Sequence, residues 1–156
     1  MSESKLLVLI SRPRAGKSTF ANRWVREDIM RVVVNADSLR LALTGQRYNY
    51  LAESVVFSMK YVFIRALLKQ GYEVLVDGTN SSDISIQRIL EIDPNAEFLI
   101  VDTPEEVCIQ RAKDTNQEDL IPVIKSIGKN VERIKSVGIE NIRKEILEKI
   151  KHRNMS

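Results

Sequence analysis

Four short apolar runs, rich in β-branched residues, punctuate this chain: LLVLI (6–10), RVVVN (31–35), EVLVD (73–77) and EFLIVD (97–102). Each run is continuous rather than alternating, so each calls for cover on both faces, and a helical pattern follows every one. After the first run, Phe20 and Trp24, and Ala21 and Val25, recur at i, i+4. Between Glu53 and Gln70, the residues Val55, Val56, Met59, Val62, Phe63, Ala66 and Leu67 mark one broad face, and Gly71 is placed to end that helix. After the fourth run, Thr103 before Pro104, with Glu106 three residues on, reads as a capping box with proline at the first helical position. Ile124, Ile127, Val131 and Ile134, then Ile142, Ile146 and Ile150, give two further one-sided helices. The alternation βαβαβαβα predicts an α/β fold in three layers. A central parallel sheet of four to five strands is flanked by helices, with right-handed crossovers. Ligands of such sheets bind beyond the C-terminal ends of the strands, so the segments just after each strand are where function is sought.

Composition sets the outer bounds. A length of 156 residues with 44% hydrophobic content suits one domain, 1–156, and the scarcity of Gly (6) and Pro (4) argues against a disordered or linker-rich chain. The lone cysteine, Cys108, cannot form an intramolecular disulfide, and the first apolar run is too short for a secretory segment. No stretch approaches the ~20 apolar residues of a membrane span. The expectation is a cytoplasmic chain without a membrane partner. Net charge is +3, a weak pointer to an anionic partner. The excess of Lys and Arg between Lys125 and Arg153 reads as a solvated helical face. The sequence carries no signal of oligomeric state.

SRPRAGKST, Ser11 to Thr19, follows the first strand directly. In the pattern G-x-x-x-x-G-K-[ST], successive backbone amides and a helix N-terminus surround a nucleotide's β-phosphate. A lysine reaches the β- and γ-oxygens, and a hydroxyl ligates Mg²⁺. Gly16, Lys17 and Ser18 fill the last three positions; Ser11 replaces the first glycine. If that position needs a positive φ, the strain is roughly 1–2 kcal/mol, small beside the contacts that remain. The expected ligand is a nucleoside triphosphate, ATP with Mg²⁺, held by Ser11, Pro13, Arg14, Ala15, Gly16, Lys17, Ser18 and Thr19, with Ser18 on the metal.

NADSLR follows the second strand and DGTN, Asp77 to Asn80, the third. A carboxylate there can accept the proton of an attacking hydroxyl, and a guanidinium can bind an acceptor's own phosphate. Asp37 and Arg40 supply such a pair. SRPRAGKST, NADSLR, VLVDGTN, IVDTPEEVCIQRA and IPVIKSI, in this order and spacing, resemble the kinase domain of the polynucleotide 5′-hydroxyl kinases, within the P-loop kinases. The resemblance runs from Leu6 to about Ile134. It implies a P-loop kinase fold with a small helical lid at about 111–122, and ATP·Mg²⁺ on Lys17 and Ser18. Asp37 would be the general base on the 5′-hydroxyl of DNA or RNA, and Arg40 would hold the adjoining phosphate. Asp77, Thr79 and Asn80 would line the acceptor side, with Arg111 opening the lid over the nucleotide.

One departure concerns catalysis itself. The family's lid carries a further arginine that clamps the transferring phosphate, whereas AKDTNQEDL, Ala112 to Leu120, has only Lys113. Arg111, Lys113, Arg12 or Arg14 are the candidates to replace it. Two other readings therefore stay open: a kinase of a small acceptor such as a nucleoside, sugar or antibiotic, and a nucleotide-binding module with impaired catalysis. His152 reads as solvated and Cys108 as a small core residue. Tyr48, Tyr50, Tyr61 and Arg47 either pack or stack on an acceptor base.

Overall fold

A computed structural model describes residues 3–156. Four strands form one sheet: β1 (Leu6–Ile10), β2 (Arg31–Asn35), β3 (Glu73–Asp77) and β4 (Glu97–Ile100). Their spatial order is β2-β3-β1-β4, and every neighbouring pair is parallel. The fourth strand is shorter than the apolar run suggested, because pairing with β1 ends where β1 ends, at Ile10 opposite Ile100. Seven α-helices surround the sheet: α1 (Lys17–Val25), α2 (Ala36–Thr44), α3 (Glu53–Lys69), α4 (Asp83–Ile92), α5 (Glu105–Asp114), α6 (Ile121–Val137) and α7 (Ile139–Met155). The sequence pattern marks no helix at α2, only the polar cluster NADSLR after the second strand. It is a separate helix because Asn35 starts it and Gly45, at φ 68°, ends it.

Alternation along the strands makes the three layers. Leu6 and Val8 of β1, with Val34, Val74 and Val76, pack against Tyr61 and Ile64 of α3 and Ile89 of α4. Leu9 and Leu75 point the other way, onto Ala21, Phe20 and Trp24 of α1. Ile10 continues the first face under α4, α6 and α7, where Ile86, Leu90, Val131, Ile134, Ile142 and Ile146 meet. The two one-sided helices expected after Leu120 are thus α6 and α7, and His152 on α7 is exposed. Among the described residues, no helix is long and apolar enough to cross a membrane.

The capping box at Thr103 does not form. Pro104 itself is the residue before the helix, with extended ψ, and the Thr103 hydroxyl donates instead to the Ala15 carbonyl at 2.7 Å. A tertiary contact to the first loop has displaced the local cap. Arg12 is drawn from that loop in the same direction: 6% exposed, it donates to Glu132 at 2.7 Å and to the Thr103 carbonyl at 3.3 Å. Asp102 stands 3.9 Å from it and is itself paired with Lys135. Gly128 makes room, since a Cβ there would stand 2.9 Å from Arg12 Nε. Gly128→Ala should therefore destabilise the fold by about 1–3 kcal/mol in urea denaturation through overpacking. If the helix propensity of alanine decided the matter, stability would instead rise by up to ~1 kcal/mol.

Candidate functional site

The C-terminal ends of β1, β2 and β3 bring together the loop 11–16, the start of α2 and the turn after β3. The turn from β1 into α1 takes two residues into the left-handed region that side chains rarely adopt, and Gly16 supplies one of them at φ 96°. Ser11 is fully buried, but its backbone is not in the left-handed region. Its amide donates to the Thr79 carbonyl at 3.1 Å, and its hydroxyl donates to the Arg12 carbonyl at 2.8 Å. The strain expected at Ser11 sits at Arg14 instead, at φ 65°.

The carbonyls of the loop are tied outward. Lys17 Nζ donates to that of Arg12 at 3.2 Å, Arg111 to that of Arg14 at 3.1 Å, and Thr103 to that of Ala15. The amides of Arg14, Ala15, Gly16 and Lys17 take no partner among the described residues. A loop with its acceptors engaged and its donors free, at the start of a helix, presents an anion site. Burial lowers the Lys17 amine below the ordinary lysine value, while Asp77, Asp37 and the Cys108 thiol act in the opposite sense. Cys108 itself is fully buried, and burial raises its thiol.

Asn35 joins the second and third strand ends. Its side-chain oxygen accepts the amides of Asp37 at 2.7 Å and Ser38 at 3.2 Å, capping α2. Its nitrogen donates to Asp77 Oδ2 at 2.9 Å. Ser18 Oγ donates to the same oxygen at 3.4 Å. Asp77 is 4% exposed and faces the loop rather than an open acceptor side. A hydroxyl and a carboxylate at this distance are the hard oxygen donors that suit Mg²⁺. Thr79 contributes its carbonyl to Ser11 and is half-buried, whereas Asn80 is 5% exposed at φ 47° with its side chain turned onto the Leu9 and Val76 carbonyls, so it does not present a free side chain of the kind the resemblance implied.

Asp37 lies in the first turn of α2 with an exposed carboxylate, and Arg40 donates to it at 2.5 Å. Arg40 is held from behind by Glu53, the first residue of α3, which accepts from Nε at 2.8 Å and from a terminal nitrogen at 2.8 Å. Local sequence gave no sign of this clamp, because the partners sit on different helices.

The other basic residues divide clearly. Arg12 is committed to Glu132 and Thr103 and has no freedom to act on a nucleotide. Arg111 lies within α5, against the loop at Gly16. Lys113, two residues on, points about 200° away around the helix. Arg14 reaches Thr115 at 3.3 Å, beside Arg111. The stretch 111–122 comprises the end of α5, a tight connection through Asn116 at φ 55°, a 3₁₀ turn at Glu118–Leu120 and the start of α6. Tyr61 is packed in the core, whereas Arg47, Tyr48 and Tyr50 are exposed. A shallow apolar groove of about 280 Å³, lined by Ser54, Val55, Ser58, Met59, Val62 and Phe63, lies along α3.

Residues 6–125 match the model of the AAA domain family. The chain belongs to that family. This AAA domain is similar in structure to a chain of the Pnkp1/Rnl/Hen1 RNA repair complex, with a TM-score of 0.73 and 28% identity, over 85% of this chain and 45% of that one. A second structure of the Pnkp1/Rnl/Hen1 complex matches at 34% identity and a TM-score of 0.61, over 68% of this chain and 38% of that one. Shikimate kinase from Acinetobacter baumannii, solved with shikimate, matches at 16% identity and a TM-score of 0.52, over 92% and 81%. No curated protein matches. The AAA domain spans less than half the length of the two RNA repair chains. Its fold is that of a P-loop kinase, and its likeness to the polynucleotide 5′-hydroxyl kinase domain extends over most of its length.

Arg14 offers a direct check of loop strain. Arg14→Val should cost about 1–3 kcal/mol of stability in thermal or urea unfolding, because a β-branched residue is forced into the left-handed region. Arg14→Gly, which tolerates that region, should cost less.

Proposed function

We propose that this AAA domain is an ATP-dependent kinase that transfers the γ-phosphate to the 5′-hydroxyl end of a nucleic acid strand. The carrying observation is the juxtaposition of two chemistries at the ends of β1 and β2, on either side of β3. Free amides and Lys17 stand on one side; on the other, the exposed carboxylate of Asp37 is held by Arg40. The similarity to chains of an RNA repair complex supports a nucleic acid acceptor.

In this reading Lys17 leaves the Arg12 carbonyl for the β- and γ-oxygens of ATP, and the amides of residues 14–17 surround the β-phosphate. Ser18 and Asp77 would hold Mg²⁺, which neutralises phosphate charge when bound. Asp37 takes the proton from the acceptor hydroxyl as its oxygen attacks the γ-phosphorus. The bond from that phosphorus to the β,γ-bridging oxygen breaks, and ADP departs. Arg40, oriented by Glu53, directs its remaining N–H groups at the phosphate next to the acceptor hydroxyl. Arg111 and Arg14, over the loop, are the cations placed to meet the transferring group in place of the missing lid arginine.

One observation favours a second reading. Three of Arg40's donors are already engaged by Glu53 and Asp37, which suits an acceptor with no phosphate of its own, such as a nucleoside or sugar.

Transfer of label from γ-labelled ATP, assayed with 5′-hydroxyl oligonucleotides, nucleosides and sugars, separates these readings. The expected acceptor is the oligonucleotide, with binding that weakens steeply with salt. Asp37→Asn should lower kcat by about 10²–10⁴, the usual range for a general base, and Lys17→Ala should abolish transfer. Equal transfer by Asp37→Asn, or preference for a free nucleoside, overturns the proposal.

A further inference from the structure

Lys60 is the most deeply buried charged side chain among the described residues, 3% exposed on the inner face of α3, and the mechanism above does not use it. Its Nζ donates to Asn80 Oδ1 at 3.0 Å and lies 5.6 Å and 5.3 Å from the ring centres of Phe57 and Tyr61. It forms no ion pair among the described residues. The charged groups around it are otherwise engaged. Arg40 on α2 is paired with Asp37 and with Glu53, on Lys60's own helix. Arg88 on α4 stacks on the other partner ring, Tyr61, and Asp77 on β3 accepts from Ser18 and Asn35. Burial, and then the charge of Arg40, push its amine down to about 8. An ammonium removed from water with one amide acceptor is a burden on stability that a methionine of similar volume would not carry.

Its hydrogen-bond partner holds a junction. Asn80 sits in the left-handed region, and its side-chain nitrogen donates to the Leu9 carbonyl at 2.9 Å and the Val76 carbonyl at 3.4 Å, joining the ends of β1 and β3. The residue before it, Thr79, accepts the amide of Ser11, where the phosphate loop begins. Lys60 on the acceptor-side helix is thus two contacts from the root of the nucleotide loop.

We propose that Lys60 is a positioning residue for the nucleotide site: it fixes the Asn80 side chain, and through the Thr79–Ser11 contact it holds the loop in the form whose amides face the phosphates. The inference rests on the nucleotide-binding part of the reading above and not on the identity of the acceptor. Because a charged donor binds an amide oxygen more strongly than a neutral one, the hold slackens when the amine loses its proton.

The pH dependence separates this role from a structural one. Lys60 titrates lower in the folded than in the unfolded chain, so between about 8 and 10.5 the unfolded chain binds more protons, and this group's contribution to stability rises with pH. Its contribution to nucleotide affinity falls over the same range. Calorimetric titration with Mg·ATP, near pH 7 and near pH 9.5, tests this on the wild type, Lys60→Met and Asn80→Ala. Comparing each variant with the wild type at the same pH cancels the titration of Lys17.

Lys60→Met should bind Mg·ATP roughly tenfold more weakly than wild type near pH 7 and within about twofold near pH 9.5, with a melting temperature at pH 7 no lower than wild type. Asn80→Ala should show a loss of similar size near pH 7, and the double variant no further loss. Equal affinity near pH 7, an equal loss at both pH values, or a Lys60→Met chain that melts lower or does not fold would each overturn the inference. A wild type that binds Mg·ATP but phosphorylates no acceptor removes only the acceptor reading; one that binds no Mg·ATP ends both.

Discussion

The outward anchoring of the carbonyls of residues 12, 14 and 15 is the interaction on which the site depends. A chain turning from a buried strand into a helix over six residues must place a run of amides and carbonyls on opposite sides of a tight loop. Left alone, the carbonyls would compete for those amides or face the ligand themselves. Here the Ser11 hydroxyl, Arg111 and Thr103 take those of Arg12, Arg14 and Ala15 one by one. Two of these donors lie far along the chain, on and before α5. The anion site is therefore a product of the closed fold rather than of the nine-residue motif. The same demand explains why Thr103 gives up its capping role: a helix N-cap is worth ~1 kcal/mol, and α5 starts without it.

A second dependence links the loop after β1 to the start of α2. Asp77 is shared by Ser18 and Asn35, and Asn35 also begins the helix that carries Asp37 and Arg40. A shift of β3 against β1 would thus disturb the Ser18 and Asp77 oxygens and the position of the Asp37 carboxylate together. Register across the sheet supports that coupling, since Asn35 stands opposite Asp77 in the ladder. The two residues meet because parallel pairing places the ends of β2 and β3 level, and both strands stop there.

Much of this was legible in the sequence because it rests on local rules. Continuous apolar runs marked the four strands, and Gly16-Lys17-Ser18 after β1 marked the loop. The isoleucine spacing beyond Leu120 marked α6 and α7. What the sequence hid depends on contacts between distant residues. Arg12 looked available for a phosphate, yet its partners, Glu132 and the Thr103 carbonyl, lie 120 and 91 residues away. Ser11 looked strained because it replaces a glycine, but the non-glycine residue of the loop in the left-handed region is Arg14, a position that no propensity would choose. Glu53 and Lys60 were invisible for a related reason. On α3 each is one polar residue in an apolar pattern, and only the packing of α3 against α2 and β3 gives them partners.

The charges around Arg40 also explain why that region is built from two helices rather than one. Arg40 projects from α2 toward Asp37, three residues earlier, and a single exposed pair of this kind is worth only a few tenths of a kcal/mol and would not fix either side chain. Glu53, arriving on α3 with a carboxylate only one-fifth exposed, grips the guanidinium from the other side and leaves its outer edge directed at Asp37. The break between α2 and α3 is what allows this. A continuous helix would place residues 40 and 53 about 20 Å apart at 1.5 Å per residue, beyond any salt bridge. Folding the chain back after Gly45 turns two remote residues into a clamp, and through it a mobile surface carboxylate becomes one with a set direction.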